Sequence, residues 1–229
     1  MKRWKINRPD PAKTLALTSR TDLTPLCADV LVSRGISSVE DAATFFAQEE
    51  LSDPFLLKDM QTAADILTEA AEDGERICVY GDYDCDGVTA TAVLYSYLLC
   101  MGADAVYYIP ERSEGYGLSI AAVDQIAAMG VSVIVTVDNG ISAVAEAAHI
   151  RELGMRLVIT DHHQPPAALP DAEAIVNPHR ADCPSPFKEL AGVGVALKLC
   201  AALDGGDYGA VLSNTATLPP SVQSLMSFR

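Results

Sequence analysis

Apolar and polar positions change rhythm once along this chain, near residue 76. From about Asp22 to Gly74 apolar residues recur at helical spacing, in DLTPLCADVLVSRG, in SVEDAATFFAQ and in the longer LKDMQTAADILTEAAEDG, which closes on a glycine stop. No strand pattern precedes Arg76. Beyond it, short apolar runs alternate with helix-length stretches. ICVYG, AVYYIP, VSVIVTVD, RLVITD and the weaker AEAIVNP read as strands; VTATAVLYSYLLCMG, SIAAVDQIAAMG and ISAVAEAAHIRELG read as the helices between them. Near-continuous apolar strands separated by amphipathic helices predict an α/β fold, a parallel sheet covered by helices on both faces. Right-handed crossovers put every strand's carboxyl end on one side. A further helix, GVGVALKLCAAL, follows, and the remainder, from GGDYG to the end, has no clear periodicity. The expected division is a helical N-terminal segment, 1–75, packed on an α/β domain, 76–205, with an irregular tail, 206–229.

Composition narrows the class. The chain has 229 residues, 49% hydrophobic and 21% charged, which describes a globular protein and not a disordered one. No run approaches the roughly 18 apolar residues of a membrane span, and MKRWKINRPDP has no apolar signal core, so no membrane association is expected and the expected location is cytoplasmic. Six cysteines without CxxC spacing argue against a zinc site or a disulfide framework and are expected to be reduced and mostly buried. The formal net charge of -15 argues at first against nucleic acid, whose phosphates attract basic surfaces. Carboxylates that hold divalent cations count as negative in that sum, however, while the occupied site presents positive charge to a phosphate.

Candidate chemistry gathers at the strand ends. VYGDYDCDGVTA places Asp82, Asp84 and Asp86 at alternate positions directly after the first strand, where they repel one another unless something positive sits between them. In an open parallel sheet the carboxyl ends of the strands are where ligands bind. GDYDCDG follows the first strand, PERSEGYGLS the second, DNG the third and DHH the fourth. Asp82, Asp84, Asp86, Asp138, Asp161, His162 and His163 are oxygen and imidazole donors suited to Mn²⁺ or Mg²⁺, with histidine favouring manganese. Cys85 is expected to point away from its neighbours if the segment is extended. Two such ions about 3.5–4 Å apart, bridged by a carboxylate, suit phosphoester hydrolysis. Gly87 and Gly140 would let the backbone turn sharply and open helix N-termini to phosphate. Each cluster alone has a plainer reading, a cap for DxD, a turn for DNG, a surface or core pair for the histidines. Their joint occurrence at successive strand ends favours a site. Arg112, beside Glu111 and Glu114, stays divided between a phosphate contact and a structural ion pair.

In this order and spacing, GDYDCDG, VDNGIS, TDHHQ and AGVGVALKL closely resemble the DHH phosphoesterase superfamily. PERSEGYGLS, SRGISSVEDAATFF and LSDPFLLKDM resemble specifically its RecJ-type single-stranded-DNA exonucleases, up to about residue 212. The resemblance implies a metal-dependent 5′-to-3′ exonuclease of DNA repair and recombination with a two-metal Mn²⁺ or Mg²⁺ site. It implies Asp84, Asp86, Asp138 and His162 as metal ligands, with Asp138 the bridge and a catalytic residue. Asp82 would be a ligand or a neighbouring carboxylate, and Asp161 would orient its loop. His163 would contact phosphate or transfer a proton; Arg112 and Gly140 are candidate phosphate contacts on their own placement and not from the resemblance. Single-stranded DNA is the implied partner, with single-strand-binding proteins or helicases beside it. Two departures accompany the resemblance: no aspartate follows Asp207 to supply the family's fourth acidic motif, and no second cleft domain or oligonucleotide-binding barrel follows. The chain is therefore expected to be truncated and impaired. Residues 214–229 are expected to be an out-of-frame tail, since a shifted reading of NTATLPPSVQSLMSFR is compatible with that missing motif. The competing expectations are a phosphoesterase of short oligonucleotides, cyclic dinucleotides or pyrophosphate, and a non-catalytic remnant.

Overall fold

The computed structural model describes residues 8–46, 51–209 and 211, so the expectation for residues 214–229 lies outside the described residues. The chain divides into two units, Met1–Glu50 and Leu51–Arg229. The first contains α1 (Pro11–Thr18), α2 (Pro25–Ser33) and α3 (Val39–Phe46). Asp10 and Thr24 cap α1 and α2, each just ahead of a proline that needs no hydrogen-bond acceptor, and Leu17, Ala28, Leu31 and Ala42 form a small core. Helix α1 lies ahead of the region in which the apolar spacing predicts helices; its sequence signal is the Asp10–Pro11 pair.

The second unit begins with a short 3-10 turn at Pro54–Leu56. It continues through α4 (Met60–Glu72), β1 (Ile77–Tyr80), α5 (Cys85–Cys100), β2 (Ala105–Tyr108), α6 (Ile120–Ala128), β3 (Val133–Val137), α7 (Val144–Glu152), β4 (Arg156–Thr160), β5 (Ala174–Val176) and α8 (Gly192–Leu203). The five strands form one sheet in the order β2-β1-β3-β4-β5, with every neighbouring pair parallel. Successive residues serve opposite faces. Ile77 and Val79, with Val133, Val135 and Val137, enter a core shared with α4, α5 and α8, whereas Cys78, Tyr80, Ile134, Leu157 and Ile159 enter one shared with α6 and α7. Both faces are therefore covered, which is why the strands carry no polar alternation. Helix α4 supplies Met60, Ala63, Ala64, Leu67 and Ala70 to the first of these cores, so it sits within the α/β unit and the division falls at residue 50. The cysteines are all free, with Cys78, Cys183 and Cys200 buried and Cys27, Cys85 and Cys100 exposed, fewer buried than expected. Among the described residues no helix is long and apolar enough to cross a membrane.

The strand order positions the chemistry. From β1 the chain moves outward to β2 and then returns to the other side of β1 to form β3, so the connections leaving β1 and β3 diverge and open a crevice between them.

Candidate metal centre

The loop leaving β1 bends at Tyr83 and Asp84 and enters α5 at Cys85. Asp84 is the N-cap of α5, its Oδ1 accepting from Gly87 N at 2.9 Å, and Asp86 lies in the first helical turn. Cys85 opens the helix and is exposed, so no strand alternation sets its direction. Gly87 serves close approach and not a turn: a Cβ there would lie 2.6 Å from Asp82 Cβ and 2.7 Å from its backbone nitrogen. Asp86 accepts from the first amides of α8, Gly192 N and Val193 N, both at 2.8 Å, where the positive end of a helix favours a carboxylate.

The loop leaving β3 is held in an unusual conformation. Asp138 has a φ of 64° and Gly140 one of 104°, and a Cβ on Gly140 would lie 2.8 Å from Thr136 Oγ1. Asp138 is only 2% exposed, and no hydrogen bond reaches its Oδ1, although His162 Nε2 lies 3.0 Å away. Helix α8 closes over it so tightly that a Cβ on Gly192 would sit 2.3 Å from that oxygen. The loop leaving β4 is organised by Asp161. Its Oδ2 accepts from Ile141 N at 2.9 Å; its Oδ1 accepts from His162 N and His163 N and contacts His163 Nδ1 at 2.7 Å. Asp161 thus joins the β3 and β4 loops and uses both oxygens within the protein.

Two groups of donors meet at one residue. Asp82, Asp84 and Asp138 offer oxygens within 4.8 Å of one another, and Asp138, His162 and His163 do the same with oxygen and nitrogen. Asp138 belongs to both. Asp86 stands beside them, 3.6 Å from His162 Nε2, with both oxygens engaged by α8. Burial, helped by the charges of Asp86 and Asp84, pushes the Asp138 carboxyl up to about 8, and burial also raises Asp82. Asp161 goes the other way. Burial alone would raise it, but the hydrogen bonds from His163 and Ile141 outweigh that and hold it below the ordinary carboxylate range, while the same contact raises His163. Among the described residues no lysine or arginine pairs with Asp82, Asp84, Asp86 or Asp138. Buried, unpartnered oxygens on Asp82 and Asp138, next to imidazole, fit a divalent cation.

Outside these groups, the Arg112 guanidinium lies 4.7 Å from the centre of the Tyr83 ring. Among the described residues neither neighbouring acid forms an ion pair with it; Glu114 accepts from Glu111 N and from Tyr108 Oη, and Glu111 accepts from Ser113 Oγ. Tyr116, in the same loop, also reaches the site, although the sequence motifs do not single it out. Its hydroxyl lies 3.2 Å from the Asp138 carbonyl and 3.2 Å from His163 Nε2, and burial with the charges of Asp161 and Asp138 raises its pKa. The available signal was its position in PERSEGYGLS, at the carboxyl end of β2.

The family described as "DHH family, N-terminal domain" matches residues 76–224. This chain belongs to the DHH family. The chain is 48% identical over 206 residues to the single-stranded-DNA-specific exonuclease RecJ of Bacillus subtilis, covering 89% of this chain and 26% of that protein. It thus spans about a quarter of that relative's length. A crystal structure of exonuclease RecJ bound to manganese superposes with a TM-score of 0.63 at 34% identity, over 77% of this chain and 48% of that one. RecJ of Thermus thermophilus in complex with Mn²⁺ gives 0.64 at 30% identity, over 92% and 31%, and its complex with Mg²⁺ gives 0.51 at 25%, over 92% and 27%. The all-parallel sheet with helices on both faces is the DHH fold of these relatives.

Proposed function

We propose that the DHH domain of this chain carries the metal-dependent phosphodiester-hydrolysing centre of a RecJ-type exonuclease, acting on single-stranded DNA from the 5′ end in repair and recombination. The observation that carries the reading is Asp138: a buried carboxylate with an unpartnered oxygen, common to both groups of donors. In this reading Asp82, Asp84, Asp138 and His162 hold Mn²⁺ or Mg²⁺, while Asp86, expected from the sequence as a ligand, has both oxygens engaged by α8 and fixes that helix against them. A divalent cation bound there polarises a phosphoryl oxygen and lowers the pKa of a water molecule. His163, held by Asp161, meets the phosphate or moves a proton, and Arg112 and the Gly140 backbone contact neighbouring phosphates. The unpaired acids would repel a phosphodiester without a cation, so the same residues explain how a chain of net charge -15 takes a polyanion. Single-strand-binding proteins or helicases as partners, and a cytoplasmic location, belong to the same proposal.

Calorimetry with Mn²⁺, followed by assay of 5′-phosphorylated single strands, tests the reading. Mn²⁺ binding and 5′-directed hydrolysis that is impaired relative to an intact family member, both lost in Asp138→Asn, are expected. An absence of Mn²⁺ binding would identify a non-catalytic remnant, and turnover of dinucleotides but not of long strands would identify a small-substrate phosphoesterase.

A further inference from the structure

The Tyr116 hydroxyl joins two of the loops that build the centre. It donates to the Asp138 carbonyl at 3.2 Å and lies 3.3 Å and 3.2 Å from Nδ1 and Nε2 of His163, the two rings meeting edge to face at 78°. The His163 side chain is 46% exposed, so packing alone does not fix its ring. Asp161 holds it at Nδ1, and a ring held by one hydrogen bond can still swing about that contact. The second restraint comes from Tyr116.

Tyr116 is itself held in an inverted arrangement. A tyrosine usually buries its ring and leaves its hydroxyl near water, whereas this residue is 55% exposed while its hydroxyl reaches into the site. The loop enforces this. Tyr80 Oη donates to Gly117 O at 3.0 Å, Tyr108 Oη donates to Glu114 Oε2 at 2.7 Å, and the two strand tyrosines stack with ring centres 5.2 Å apart. Gly115 and Gly117, with φ of 99° and 79°, flank the residue in a backbone conformation that L side chains rarely adopt. Two tyrosines of the sheet thus anchor a loop that sets a third against His163. Burial of the residue as a whole explains little of this, because more than half of its surface is exposed; the hydroxyl contacts are what the arrangement achieves.

Resting on the reading of His163 as the group that meets the phosphate, we propose that Tyr116 is a positioning residue, fixing the imidazole of His163 and tying it to the Asp138 loop.

The test uses the full chain, metal-free and labelled with ¹⁵N-histidine, with His163→Gln assigning the His163 ring signals. Tyr116→Phe removes only the hydroxyl. At a pH where His163 carries both ring protons, it is expected to speed exchange with water of the His163 Nε2–H, the donor to the Tyr116 hydroxyl while Nδ1–H is held by Asp161, by about three- to tenfold, the range of one hydrogen bond of ordinary net strength. His149 and His179, which bond elsewhere, are expected to be unchanged. Tyr116→Ala is expected to do no more than Tyr116→Phe. Unchanged His163 exchange in Tyr116→Phe would overturn the proposal, and so would an effect confined to Tyr116→Ala, which would mean that the ring and not the hydroxyl does the holding. The measurement needs neither cation nor turnover, so a failure to bind Mn²⁺ would count against the metal reading and leave this result standing.

Discussion

Asp138→Asn separates the cost of the buried carboxylate from its use. In the metal-free protein the Asp138 carboxyl is raised from 3.8 to about 8. Below about pH 4 it is protonated whether folded or unfolded, and its effect on stability vanishes. Between there and about pH 8 the unfolded chain releases the proton while the folded protein keeps it, so stability falls as pH rises, and above that range the loss is constant. At pH 7 the displacement spans about three pH units, an upper limit of about 4 kcal/mol at ~1.4 kcal/mol per unit. Water entering the relaxed site reduces this to about 2–4 kcal/mol. Asparagine has no proton to lose and tolerates the left-handed φ of 64° at this position, which alanine does not. With a chelator present, the advantage of Asp138→Asn over the wild type is therefore expected to grow with pH between about 4 and 8, reaching that amount at pH 7, in urea unfolding followed by circular dichroism. With Mn²⁺ the order reverses, because only the wild type is stabilised by binding. A stability difference independent of pH in chelator would refute the reasoning, since it would mean that Asp138 ionises in the folded protein as freely as in the unfolded chain.

Binding of Mn²⁺ below pH 8 is expected to displace the Asp138 proton, so affinity should rise with pH and level off near 8; calorimetry in two buffers of different ionisation heat counts the proton. Gly192→Ala forces a Cβ to within 2.3 Å of Asp138 Oδ1 and is expected to cost about 1–3 kcal/mol in urea unfolding and to weaken Mn²⁺ binding. Asp161→Asn removes the carboxylate that raises His163, so the His163 titration followed by NMR is expected to move down in pH.

The fold was legible because periodicity survives folding. Runs such as VIVTV are apolar on both sides because both faces of that strand are covered, and the first strand begins at Ile77, directly after the change of rhythm. What escaped depended on contacts that local pattern does not encode. DYDCDG reads as an extended acidic run, yet Asp84 and Gly87 stand three apart as a helix cap, and α5 begins at Cys85, inside the motif. The engagement of Asp86 with α8 spans 106 residues of sequence, and nothing near residue 86 announces it. Helix α1 is too short for a convincing apolar stripe, and α4 resembles the N-terminal helices in composition while its apolar face belongs to the sheet. Tyr116 lies in a loop without periodicity, where only the position after β2 marked it.

The long span between Asp86 and the start of α8 has a consequence for the order in which the protein is made. Asp86 leaves the ribosome 106 residues ahead of the Gly192 amide that receives it, and Asp82 and Asp84 leave earlier still. At about 5–20 residues per second, that is a delay of about 5–20 s. For that interval β1 can pair with β2 and β3, but the carboxylates crowd one another with no helix end to draw Asp86 aside. A nascent chain in this state has its strongest need for counter-charge before the centre is complete, so divalent cations in the surrounding solution are positioned to influence folding of the sheet before any role in chemistry.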